Sequence, residues 1–121
     1  MSKSILVVDD SASLRQVLKM TLTGAGHTVI EANDGKQALA LLDGRTIHIA
    51  ICDLNMPNMN GIEFIKAAKA IPAYKYMPIL MLTTEADETK KAQGKEAGAK
   101  AWMLKPFSSA QLLSAVTKLS I

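Results

Sequence analysis

The chain has a single cysteine, Cys52, so no internal disulfide supports its fold. No apolar run approaches the ~20 residues of a membrane-spanning helix. The opening Met1-Ser2-Lys3-Ser4 lacks the long apolar segment and cleavage site of a signal peptide. With no export signal, the cytoplasm is the expected compartment. There is no low-complexity segment, linker or internal repeat, so one domain over residues 1–121 is expected, with no attached output domain. Strong charge is absent too. A net charge of +3 and a pI near 9.1 allow an acidic partner but do not argue for nucleic acid. What remains is ample apolar material. At 121 residues and 49% hydrophobic, the chain can enclose a proper core.

Apolar runs occur at Ile5–Val8, Val29–Ala32, Ile47–Cys52, Ile79–Leu82 and Ala101–Leu104. Between them, apolar residues recur at helical spacing: Leu14, Val17, Leu18 and Leu22; Ala38, Leu41 and Leu42; Ile62, Ile65 and Ala68; Leu112, Leu113 and Val116. The stretch Asp87–Ala97 is polar and more weakly patterned. Gly24, Gly26, Gly44 and Gly98 sit where helices should stop. The pattern is strand–helix, five times over. Short connections and right-handed crossovers make this an α/β domain, a doubly wound parallel five-stranded sheet with helices on both faces. Strands buried on both faces read as continuous apolar runs, as these do.

The residues that follow the strands carry the chemistry. The first run meets Asp9 and Asp10, the third Asp53, the fourth Thr83, and the fifth Lys105 and Pro106. In a parallel sheet these ends share one edge, where ligands bind. Asn33 and Asp34, after the second run, read as an ordinary turn. Clustered carboxylates resist joint ionisation unless a cation joins them. Hard oxygen donors favour Mg²⁺, which keeps waters that a phosphate can replace. A lysine and a hydroxyl complete the equipment for positioning a phosphoryl group. Aspartyl phosphates are known covalent intermediates, and Asp53, alone on the middle strand, is the candidate acceptor.

Each element alone has a plainer explanation. An acid pair before a helix usually serves as a cap. Asp53 could cap the following loop, and Thr83 and Thr84 the following helix. Lys-Pro is commonly just a loop. Cys52 reads as a small buried hydrophobe, and the seven methionines as core filler. The coincidence of four strand ends is what favours a phosphoryl site.

The motifs VVDD, CDLNMPNMNG, MLTTEAD and AWMLKPF, in this order and at these separations, resemble the receiver domain of bacterial two-component response regulators, and most of all the single-domain chemotaxis regulators. The resemblance spans Ser4 to Leu119. It implies the flavodoxin-like strand order 2-1-3-4-5. It implies that Asp53 accepts a phosphoryl group from a histidine kinase, and that the protein assists this reaction without being a turnover enzyme. Asp10 would ligate Mg²⁺ (or Mn²⁺ in its place) directly, Asp9 mainly through water, together with Asp53 and the Asn55 backbone carbonyl. Thr83 and Lys105 would bind phosphoryl oxygens, and Pro106 would follow a cis bond. Trp102 stands where a switch aromatic, commonly Tyr or Phe, is usual, and an inward turn of its ring on phosphorylation is expected. Asn55 and Glu85 occupy the positions that tune phosphate lifetime, beside Thr84. Asn60 replaces the family's usual acid, and Gly61 is expected to keep the turn.

Other phosphoryl and nucleotide chemistries fit less well. A dehalogenase-type phosphatase wants an acid at position 55, where this chain has Asn55. A flavodoxin or dinucleotide fold wants a Gly- or Ser/Thr-rich loop after the first strand, where Asp9 and Asp10 would repel phosphate. A receiver that only docks partners would typically have lost an acid or the lysine. Lys90, Lys91, Lys95 and Lys100 form either a solvated face or a docking surface for an acidic helical target such as the flagellar motor switch protein. A phosphatase is a possible further partner. Neither nucleic acid binding nor membrane insertion is expected, and the chain should be a monomer.

Overall fold

A computed structural model describes residues 3–84 and 88–120. Five strands alternate with five helices: β1 (Ser4–Val8), α1 (Ala12–Gly24), β2 (Thr28–Ala32), α2 (Gly35–Leu41), β3 (Ile49–Asp53), α3 (Gly61–Lys69), β4 (Ile79–Thr83), α4 (Glu88–Ala97), β5 (Ala101–Leu104) and α5 (Ser109–Leu119). A 3₁₀ turn at Pro72–Tyr74, which the residue pattern did not suggest, leads into β4. All strand pairs are parallel, in the order β2-β1-β3-β4-β5. Among the described residues no helix is long and apolar enough to cross a membrane.

Alternation along the strands divides the core in two. Ile5 and Val7 of β1, Ile49 and Ile51 of β3, and Leu80 and Leu82 of β4 pack with Leu18 and Leu22 of α1 and Leu112 and Val116 of α5. Leu6, Val8, Ala50, Cys52, Ile79 and Met81 face the other way, toward Ala38 of α2 and Phe64, Ile65 and Ala68 of α3. Full burial of side chains of this size stabilises by about 1.5–3 kcal/mol each, which fixes the register of each helix on the sheet.

Three details depart from the expected pattern. Val17 shares the apolar spacing of α1 but is 52% exposed, and Met20 beside it is 67% exposed. The sheet covers a narrower stripe of α1 than the apolar residues span. Leu42 is buried but lies just past α2, whose last residue is Leu41. Helix α4 has one buried residue, Gly94, so almost no apolar side chain of its own docks it.

Candidate functional site

The caps of α1, α2, α3 and α5 account for those helix starts without using Asp9, Asp10 or Asp53. Ser11 caps α1, accepting from the Leu14 N–H across 3.2 Å. Asn60 caps α3, with Glu63 accepting from the Asn60 N–H in return, so the residue that replaces the family's acid serves as a cap. Ser108 caps α5 in the same reciprocal way. None of Asp9, Asp10 and Asp53 is the cap of one of these helices, although Asp9 and Asp53 each accept from one nearby backbone N–H, as turn and loop residues do.

Those three side chains converge. One carboxylate oxygen from each lies within 4.8 Å of the others. Asp9 and Asp53 are buried, whereas Asp10 is exposed at the mouth. Both oxygens of Asp9 are engaged: Oδ1 accepts from the Ser11 N–H across 2.9 Å, and Oδ2 accepts from Lys105 Nζ across 3.1 Å. Asp53 Oδ1 accepts from the Leu54 N–H across 2.9 Å and lies 3.2 Å from the same Lys105 Nζ. One ammonium, 18% exposed, thus bridges two carboxylates. Lys105 is held by its own backbone, whose N–H donates to the Thr83 carbonyl across 2.8 Å, and the Lys105–Pro106 bond is cis. Thr83 is fully buried at the end of β4.

Electrostatics give the cluster its use. Burial pushes the Asp53 carboxyl above the ordinary carboxylate range, and the charge of Asp9 adds to the push. Lys105 and the Leu54 N–H oppose it. Three carboxylates against one ammonium leave two negative charges, which a divalent cation would balance. The donors are hard oxygens, and the exposed side of Asp10 leaves room for water, so the set fits an oxygen-loving divalent ion. Cys52, next to Asp53, takes no part. Burial, then the charges of Asp53 and Asp9, push its thiol well up, and it donates to the Asp53 carbonyl.

Several supporting residues escaped the sequence reading. Arg15 of α1 donates from Nη1 to the Asp9 carbonyl while its Nε lies 3.4 Å from Glu31 Oε1. Asp34 is more than an ordinary turn residue. It caps α2 through the Gln37 N–H and also accepts from Asn58 Nδ2, in the loop after β3, across 2.9 Å. Asn58 has the positive φ of that loop, at 68°. Gly61 does not supply the turn conformation expected of it. Its lack of a side chain instead admits the Asp53 carbonyl, into which a Cβ would collide. Asn55 and Thr84 are exposed on the loops beside the site, and Glu85 lies outside the described residues.

Trp102 is half-buried on the α3–α4 side of the sheet, in register with Met81 of β4. A groove of about 800 Å³ runs past it between α4 and α5, lined in part by Lys91, Leu104, Gln111 and Lys118. A second concavity of about 200 Å³ is lined by Lys91, Lys95, Lys100 and Trp102. Of the expected lysine face, Lys90 lines neither, and Lys118 of α5 joins it instead.

A strand-end aspartate held by a lysine beside an acid pair defines a class, and comparison with known proteins agrees with it. The response regulator receiver domain family matches residues 5–117, and the chain belongs to that family. Its relatives include chemotaxis proteins. It is 42% identical over 106 residues to a chemotaxis protein CheY homolog of Campylobacter jejuni, covering 86% of this chain and 82% of the relative. It is 34% identical over 116 residues to chemotaxis protein CheY of Pseudomonas aeruginosa, covering 95% and 94%. The crystal structure of the chemotaxis response regulator CheY4 of Vibrio cholerae superposes with a TM-score of 0.93 at 44% identity, covering 98% of this chain and 99% of that one. The chain is therefore a CheY-like receiver domain.

Proposed function

We propose that Asp53 is the phosphoacceptor of a two-component pathway. A carboxylate oxygen of Asp53 attacks the phosphorus of a phosphohistidine on a histidine kinase. The P–N bond breaks as the P–O bond forms, and the imidazole leaves with its electron pair. The observation that carries this reading is the Lys105 ammonium set between Asp53 and Asp9. That fixed charge faces the oxygens of an incoming phosphoryl group without reorganising, and the buried Thr83 adds a hydroxyl. Asp9, Asp10, Asp53 and the Asn55 carbonyl would hold Mg²⁺, which supplies charge neutralisation for the phosphoryl oxygens. The protein assists its own phosphorylation and is not a turnover enzyme.

Output would follow from the α4–β5–α5 face, in the cytoplasm. The groove there combines Lys91 and Lys118 with the exposed Leu104, which suits an acidic amphipathic helix. The chemotaxis relatives favour the flagellar motor switch protein as the target. The test is a small phosphodonor. Acetyl phosphate with Mg²⁺ should add one acid-stable, alkali-labile phosphoryl group, and Asp53→Asn should abolish it. Modification that persists in that variant refutes the assignment. No modification of the wild type, with target binding intact, would make this a receiver that only docks.

A further inference from the structure

Helix α4 is polar on nearly every side, and its one buried residue has no side chain to bury. The space above Gly94 is filled from below. A Cβ built on Gly94 would lie 2.7 Å from Cζ3 and 3.3 Å from Cε3 of Trp102, with Met81 Cε 3.8 Å away. The six-membered half of the indole thus fills the space of a missing methyl group. Trp102 and Met81 are register partners on β5 and β4, so the helix meets a flat indole and a polarisable thioether through one glycine.

Glycine in a helix interior costs about 0.5–1 kcal/mol relative to alanine. Gly94 has no positive φ that would call for glycine. Backbone conformation therefore does not explain it, whereas the approach of the indole does.

We propose that Gly94 is the seat of the Trp102 ring, and that its missing Cβ allows a tryptophan to lie under α4 at this strand position. The ring and the helix then form one latch. With the indole on its seat, α4 is docked; without it, α4 keeps only the partly buried Ala97 at its end against the core. The ring also borders both the small concavity under α4 and the larger groove toward α5, so an indole driven from its seat enters the space where a target would lie. This last step rests on the receiver function proposed above. The seat itself rests on packing alone.

The fluorescence and melting measurements use the full chain without phosphodonor. Gly94→Ala should shift Trp102 emission to the red and increase its quenching by acrylamide. It should lower the melting temperature by a few degrees, although alanine is the better helix former. In a Trp102→Ala background the sign should reverse, because the methyl now meets open space and only the gain in helix propensity remains. If Gly94→Ala does not fold, recovery of folding in the Gly94→Ala, Trp102→Ala double variant supports the seat, and failure of the double variant overturns it. Unchanged emission and quenching, or an equal rise in melting temperature in both backgrounds, also overturns it. Acetyl phosphate should still modify Asp53 in Gly94→Ala. Loss of that modification in the wild type would count against the receiver function and leave the seat standing.

Discussion

Asn58 donates from its side-chain amide to Asp34 Oδ2 across 2.9 Å, joining the loop after β3 to the cap of α2. That loop carries Asn55, and its first residue follows Asp53 directly. Nearby, a Cβ on Gly35 would crowd the Met59 side chain at 2.7 Å, so the same two segments also meet through a glycine. The loop is thus held from outside the sheet.

Asn58→Gly should isolate this tie. Glycine keeps the φ of 68° at no steric cost and removes the amide, while its freer unfolded chain also lowers stability, so the labelling rate is what reads the tie. We expect a lower melting temperature by a few degrees and slower labelling of Asp53 by acetyl phosphate. Asp34→Ala should cost more, since it loses the cap as well. The Gln37 N–H and the Asn58 amide, in that order, lower the Asp34 pKa from 3.8. Its stabilisation is therefore present above that value and lost as pH falls through the folded one. Equal labelling rates in Asn58→Gly and the wild type would show that the tie does not position the loop.

The acid cluster gives the opposite sign. Asp53 has a folded pKa above its ordinary 3.8, from burial first and Asp9 second. The folded state holds this proton more tightly than the unfolded one. The associated stability is complete below the unfolded value and is lost as pH rises through the folded one. In metal-free protein at about pH 7, Asp53→Asn should therefore melt higher than the wild type, with the advantage shrinking toward acid. Mg²⁺ should reverse the order. A ligand that binds only the native state adds about 2.7 kcal/mol at a hundredfold excess over its Kd. Asp10→Asn should lose most of that gain and melt higher without metal. A wild-type midpoint that ignores Mg²⁺ and Mn²⁺ alike would refute the metal site.

At the opposite edge of the sheet, the two histidines flank β1. His27 Nδ1 accepts from the Lys3 N–H across 3.1 Å, and His48 Nδ1 accepts from the Ser4 N–H across 2.9 Å. Burial first, and the positive charge of Lys3 as well, hold the His27 pKa below 6.5. The neutral imidazole is the folded form, so its contribution is whole above the unfolded value and fades as pH falls toward the folded one. In an Asp53→Asn background, which removes the opposing effect of that acid, melting temperatures should decline from about pH 7 to pH 5, and His27→Gln should flatten the decline. A variant as steep as its Asp53→Asn parent would remove His27 from the account.

The sheet was legible in the sequence because strands buried on both faces leave unbroken apolar runs, whose ends needed no more than two residues of adjustment. The convergence of Asp9, Asp10, Asp53 and Lys105 was legible for the same reason: parallel strands put their ends on one edge. What stayed hidden were pairings with no fixed spacing. Nothing local relates Asn58 to Asp34, 24 residues away, or Gly94 to an indole on the next strand. Val17 misled because helical spacing marks an apolar stripe without giving the width that the sheet covers. Gly61 was placed correctly as a required glycine but for the wrong reason, since close approach and turn conformation both ask for the same residue.

That last distinction can be tested with Gly61→Ala. The Gly61 N–H donates to the Leu54 carbonyl across 2.9 Å, pulling the start of α3 against the end of β3. An added Cβ would collide with the Asp53 backbone oxygen and lie 3.0 Å from Met81 Sδ and 3.1 Å from Leu54 Cα. Two of these neighbours are main chain and cannot swing aside, unlike the ring edge that faces Gly94. Helix propensity favours alanine by at most about 1 kcal/mol, the helix-interior value, and Gly61 is only the first residue of α3. Overpacking typically costs about 1–3 kcal/mol, and here relief requires moving either α3 or the strand end that carries the acceptor. The collision should win. We expect a lower melting temperature and labelling of Asp53 slowed by roughly tenfold or more, because small misplacements of reacting groups have effects of that size. The Mg²⁺ response should weaken in parallel, since Asp53 and the Asn55 carbonyl move together. If Gly61→Ala is instead as stable as the wild type and labels at the same rate, the close approach does not position the acceptor, and the collision is relieved by a shift confined to α3.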